Sequence, residues 1–187
     1  MPPWVTAPNI LTLGRIGITP WIGMLIARGD YRTALPVLFF TGMSDAADGF
    51  LARRFGMGSA LGAKLDPIAD KFLAGTVFLA LAFNGALPWW YVALAFSRDL
   101  LILGFGTWVM TKGIQIDLSP TIWGKLSTAL QLLLAGGIVM QAALGLAWLA
   151  LFLPVLLWSS TALTLWSGVH YGWMGWRGLA HHRHSLD

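Results

Sequence analysis

Of the 187 residues of the chain, 57% are hydrophobic and only 11% are charged, and the mean hydropathy is +0.69. A soluble domain of ordinary composition carries about a quarter charged residues, so a water-soluble fold is excluded and the chain falls in the membrane class. The formal charge of +4 sits at segment ends and not among clustered aromatics, which argues against a nucleic-acid binder; the absence of cysteine removes disulfides, thiolate metal sites and a cysteine nucleophile.

The opening MPPWVTAPNI has no basic n-region, apolar h-region or small-residue cleavage site, so the first hydrophobic segment is expected to be retained. Pro2, Pro3, Trp4 and Pro8 suggest a short interfacial lead-in. Apolar segments then follow at about 10–28, 33–53, 67–86, 89–110, 122–145 and 148–172, each near the roughly 20 residues a spanning helix needs. They predict an all-α integral membrane protein with six transmembrane helices, forming one domain over residues 1–187 with no separate soluble part. Trp89, Trp90, Trp123, Trp148, Trp173 and Trp176 lie near segment ends, as in aromatic belts. Gly104, Gly106, Gly136, Gly137, Gly168 and Gly172 are expected to let helices pack closely. Arg53, Arg54, Lys64, Lys112, Lys125, Arg177 and Arg183 fall on one side of this arrangement and only Arg28 and Arg32 on the other, which orients both termini toward the cytoplasm. A bacterial-type inner membrane is the expected location.

The second and third segments carry the chemistry. The chain has no glutamate and eight aspartates, four of them within residues 45–70. Asp45 and Asp48 stand at i, i+3 near the end of the second segment, and Asp66 and Asp70 at i, i+4 at the start of the third. The intervening stretch with Gly56, Gly58 and Gly62 is expected to form a hairpin that brings the pairs together. Four ionised carboxylates at close range in a poor dielectric repel one another. Hard divalent cations resolve the conflict: magnesium takes oxygen ligands and keeps positions open for phosphate, and two such ions suit diphosphate chemistry. Gly49 and Ala52 keep the helix surface low for a bulky ligand, Arg53 offers positive charge to a diphosphate, and Gly62 admits a nucleotide against the backbone. No dinucleotide or P-loop motif is present. Taken singly, Asp66 before Pro67 also reads as a helix N-cap with proline at the first helical position.

Jointly these residues form D-x2-D-G-x2-A-R-x8-G-x3-D-x3-D, here Asp45, Asp48, Gly49, Ala52, Arg53, Gly62, Asp66 and Asp70. The pattern resembles, at every position, the signature of the CDP-alcohol phosphotransferase family. That resemblance implies six transmembrane helices, a homodimer, a dinuclear magnesium site with manganese as an alternative, and release of CMP. It further implies that Asp45, Asp48, Asp66 and Asp70 hold the metals and that Asp70 also takes the acceptor's proton. Thr12, Asp48, Gly49, Ala52, Arg53 and Gly62 are implied to line the CDP-diacylglycerol site.

Pro8-Asn9-Ile10-Leu11-Thr12 with Arg15, and Gly124-Lys125-Leu126-Ser127-Thr128 with Gln131, resemble the branch of that family making phosphatidylglycerol phosphate or cardiolipin. Arg15, Arg98 and Lys125 are cations within apolar segments, with Asp99 the one acidic neighbour in sequence, so an anionic acceptor is their expected counter-charge; for Lys125, snorkelling at a helix end is the plainer reading. Ser97-Arg98-Asp99 and the late His170-Tyr171-Gly172 look more like the cardiolipin-forming members. Phosphatidylglycerol is therefore the expected acceptor and glycerol 3-phosphate the alternative. An intramembrane prenyltransferase lacks the D-G-x2-A-R element, and an ion transporter using the aspartates is the non-enzyme rival. His181, His182 and His184 read as a solvated basic tail near headgroups rather than a metal site.

Overall fold

The computed structural model describes the backbone of residues 7–55, 62–111 and 121–184, and the side chains of residues 11–44, 65–109, 111 and 121–177. Regular structure within them is helical: α1 (Ala7–Ala27), α2 (Tyr31–Phe55), α3 (Gly62–Phe83), α4 (Trp89–Thr111), α5 (Ile122–Leu144) and α6 (Ala147–His184). Each expected segment finds its helix, with two changes of boundary. α3 starts at Gly62 and not at residue 67, because Ala63, Lys64 and Leu65 are good helix formers and the rung lost at Pro67 falls near a helix start, where it costs little. Asp66 is thus inside α3, and its reading as an N-cap is corrected. α6 continues past residue 172 to His184, since no proline follows Pro154 to stop it.

The chain divides into two compact units. The first holds α1, α2, α3 and α5 from Ala135 onward. Here α1 packs along both α3 and α2. Thr12 meets Asp66, Arg15 meets Asp70, and Asn84 Nδ2 donates to the carbonyls of Ile26 and Ala27 at 3.1 and 3.3 Å. Contacts that climb both helices together mean that α1 and α3 run in the same direction. The two helices come close at Gly23, where an added Cβ would stand 2.5 Å from Thr76 Cγ2. Gly29, at φ 77°, closes α1, and the Asp30 carboxylate accepts the Thr33 N–H at 3.2 Å to open α2.

The second unit holds α4, α5 as far as Leu134, and α6 from Trp148. Tyr91 bonds Ser160 at 2.8 Å and Arg98 bonds Ser167 at 2.8 Å, so α4 and α6 run together. Ser127 and Gln131 both reach Thr164, each at 2.9 Å, and Tyr171 meets Thr121, so α5 runs opposite to α6. Ser160, Thr164, Ser167 and Tyr171 recur at helical spacing and form a buried polar seam on one face of α6.

Small polar residues share the core with apolar ones, and many large apolar residues are exposed. Ser127, Ser160 and Ser167 are fully buried, whereas Leu151 and Trp176 are 76% and 75% exposed; small polar groups inside and large apolar groups outside suit a lipid environment. Among the described residues, three helices are long and apolar enough to cross a membrane, over Trp89–Val109, Ile122–Leu144 and Ala147–Arg177. α1, α2 and α3, with 21, 25 and 22 residues, reach about 32 to 38 Å at 1.5 Å per residue. They match a bilayer core in length, and Asp66, Asp70 and Lys71 interrupt the apolar run of α3. The expected packing role of four glycines is corrected: a Cβ at Gly104, Gly136, Gly168 or Gly172 would meet nothing within 4 Å. Among the described glycines, the close contacts belong to Gly23, Gly124 and Gly175.

Candidate functional site

α3 presents Asp66 and Asp70 one turn apart toward α1. Thr12 Oγ1 donates to Asp66 Oδ1 at 3.1 Å, and Arg15 Nη1 donates to Asp70 Oδ1 at 2.8 Å while lying 3.8 Å from Asp66 Oδ1. The Arg15 side chain is 4% exposed, against 48% for Asp66 and 57% for Asp70. Each carboxylate is therefore anchored from the buried side by α1 and keeps about half its surface open. The expectation that Arg15 lacks an acidic partner is corrected: parallel packing of α1 on α3 supplies two. A buried guanidinium between two carboxylates offsets their repulsion and orients both.

The backbone of Asp45, Asp48, Gly49, Ala52 and Arg53 is helical in α2, and Gly62 opens α3. The side chains of Asp45, Asp48, Ala52 and Arg53, the surroundings of Gly49 and Gly62, and the hairpin residues 56–61 lie outside the described residues. Among the described residues, no group of three or more acidic, histidine or cysteine side chains converges as a metal site. Asp66 and Asp70 still fit a hard divalent cation in donor chemistry, as half-open carboxylates one helical turn apart. The structure thus brings together Thr12, Arg15, Asp66 and Asp70.

Arg98 belongs to the other unit. It is 8% exposed, donates from Nη1 to Asp99 Oδ1 and from Nη2 to Ser167 Oγ, each at 2.8 Å, and lies 5.9 Å from the centre of the Tyr171 ring. Its Nε–H is buried with no partner among the described residues. Tyr171 Oη accepts the Thr121 N–H at 2.9 Å, and Gly124 has no room for a side chain, since a Cβ would fall 2.8 Å from Arg98 Nη2 and 3.2 Å from Tyr171 Oη. Lys125 is exposed in the first turn of α5, in keeping with a snorkelling cation. Sequence reasoning singled out Arg98 and Tyr171 separately and missed that they share one cluster. The spacing of Ser160, Thr164, Ser167 and Tyr171 in an otherwise apolar helix was the signal available.

A family profile described as CDP-alcohol phosphatidyltransferase matches residues 5–166. A probable cardiolipin synthase (CMP-forming) of Drosophila melanogaster is 33% identical over 71% of this chain and 46% of its own length. The cardiolipin synthase (CMP-forming) of Homo sapiens is 32% identical over 91% of this chain and 62% of its own length. A chloroplastic CDP-diacylglycerol–glycerol-3-phosphate 3-phosphatidyltransferase of Oryza sativa subsp. japonica is 31% identical over 90% of this chain and 56% of its own length. The chain thus spans between 46% and 62% of the length of these curated relatives.

Proposed function

The chain belongs to the CDP-alcohol phosphatidyltransferase family, and from that premise we propose that it moves the phosphatidyl group of CDP-diacylglycerol onto an alcohol, with phosphatidylglycerol as the acceptor and CMP as the leaving group. The observation that carries this reading is the acid pair Asp66 and Asp70, held by Thr12 and Arg15 with half of each carboxylate open. Asp45, Asp48, Asp66 and Asp70 are the proposed metal ligands. Two magnesium ions held there, or manganese in their place, would neutralise the diphosphate and polarise the phosphorus under attack. Thr12, Asp48, Gly49, Ala52, Arg53 and Gly62 bind the donor in this reading.

Asp70 takes the proton of the acceptor hydroxyl as that oxygen bonds to the phosphatidyl phosphorus, and the bond from phosphorus to the oxygen of the CMP phosphate breaks. Arg15 fixes one oxygen of Asp70 by a hydrogen bond of 2.8 Å. Arg15, Arg98 and Lys125 are the proposed cations for an anionic acceptor, Arg15 standing beside the acid pair. The proposed setting is a multi-pass homodimer of six-span chains in a bacterial-type inner membrane, with both termini cytoplasmic.

The test is to supply the purified protein with CDP-diacylglycerol and, separately, phosphatidylglycerol, glycerol 3-phosphate, inositol phosphate or serine, with magnesium or with chelator. Magnesium-dependent CMP release and cardiolipin as product are expected. Phosphatidylglycerol phosphate as the product would move the chain to the second reading, which the similarity to the Oryza relative favours.

A further inference from the structure

We propose that Tyr171 is a positioning residue for Arg98, holding its guanidinium ready for the anionic group of the acceptor; the inference rests on the transferase reading above. Arg98 is a buried cation whose Nε–H is still to be satisfied. Asp99 and Ser167 take its two terminal nitrogens, and Nε–H has no partner among the described residues. A buried donor left without an acceptor is costly, so an anionic ligand that completes the set gains what the free protein lacks. The guanidinium can do this only if its orientation is fixed before the ligand arrives.

Three features fix it. The Tyr171 ring lies against the guanidinium at 5.9 Å from its centroid, near the outer limit of about 6 Å for a cation–π contact. The Tyr171 hydroxyl is itself pinned by the Thr121 N–H at 2.9 Å, which ties the ring to the start of α5. Gly124, in the first turn of that helix, has no Cβ, so Arg98 Nη2 and the Tyr171 ring occupy the space a side chain would claim. Tyr171 touches no reacting atom in this account and acts through Arg98. Ser97-Arg98-Asp99 and His170-Tyr171, two separate motifs in the sequence, are on this reading one device for selecting the acceptor.

The test compares the full-length protein with Tyr171→Phe, which keeps the ring and removes only the hydroxyl, and Gly124→Ala, which forces a methyl group between ring and guanidinium. Steady-state CMP release is measured against phosphatidylglycerol and against glycerol 3-phosphate, to separate a lipid phosphodiester from a free phosphate monoester. Thermal unfolding in detergent shows whether each variant is folded. For Tyr171→Phe the KM of the productive acceptor is expected to rise roughly three- to tenfold, the worth of one hydrogen bond, with kcat and the KM of CDP-diacylglycerol unchanged. Gly124→Ala should give the same split and decides the matter if Tyr171→Phe does not fold. An unmoved acceptor KM, or equal change in both KM values, in a wild-type background that turns over normally overturns this inference alone. No CMP release by the unaltered chain with either acceptor overturns the transferase reading, and the inference with it.

Discussion

Asp70 is held on one oxygen by Arg15 at 2.8 Å, while 57% of its side chain stays open. A group so placed is stiff enough to aim and exposed enough to reach a substrate. Asp70→Asn keeps the shape, and the amide oxygen can still accept from Arg15, but the amide takes no proton. CMP release should fall by about 100- to 10,000-fold with the thermal unfolding midpoint little changed; turnover at the wild-type rate would remove Asp70 from the base role. Arg15→Met puts an apolar chain of similar length in the buried position and leaves Asp66 and Asp70 facing each other without their cation. Because both acids are half-exposed, solvent screens much of the repulsion, and the loss should be about 1 kcal/mol. Magnesium should narrow that deficit in a thermal unfolding series, since a bound cation replaces the missing charge. The spacing of Asp66 and Asp70 was legible in the sequence, and Thr12 and Arg15 came from a local motif. That Arg15 answers Asp70, 55 positions away, was not, because a local motif says nothing about which helix packs beside it.

At the scale of the helix, α1 is the element that sets the site, and Gly23 sets α1. An alanine there would bring its Cβ to 2.5 Å from Thr76 Cγ2, so α1 must shift off α3 and carry Thr12 and Arg15 with it. Gly23→Ala is expected to cost about 1 to 3 kcal/mol, as overpacking does, and to lower CMP release alongside. Thr76→Ala removes the opposing methyl, so the double variant should recover most of both losses; thermal unfolding and activity over the four-member cycle measure the coupling. Gly172→Ala, with open space around its Cβ, should change neither by a measurable amount. Gly168 and Gly172 stand four residues apart, the small-xxx-small spacing of closely packed membrane helices. Such spacing shows that a helix can be approached closely, not that a neighbour does so. Six helices were legible because apolar runs bounded by Gly29-Asp30 and Gly85 to Trp90 leave few other solutions. The start of α3 was not, because Pro67 is a strong local signal for a first helical position and Ala63 to Leu65 outweigh it.

At the scale of the whole molecule, composition named the membrane, and the buried serines and exposed leucines and tryptophans agree with it. The number of crossings is a sharper question, because among the described residues three helices are apolar enough by themselves, while α2 and α3 carry the residues of the chemistry. The chain contains no cysteine, so single cysteines can be placed without background. Arg28 follows α1 and Ala86 follows α3, and since those helices run in the same direction, Arg28→Cys and Ala86→Cys should behave alike. With six crossings and cytoplasmic termini, both should react with an impermeant thiol reagent in intact cells. Ser59→Cys, between α2 and α3, and Ser185→Cys, at the other end of the chain, should react only after the membrane is opened. Reaction of Ser59→Cys together with Arg28→Cys would mean that α2 does not cross. Reversal of all four accessibilities would keep the six crossings and overturn the orientation. In the first case the acid pairs would lie on the outer side of the membrane, opposite to the cytoplasmic face of the proposed site, so the labelling pattern tests the proposed chemistry as well as the topology.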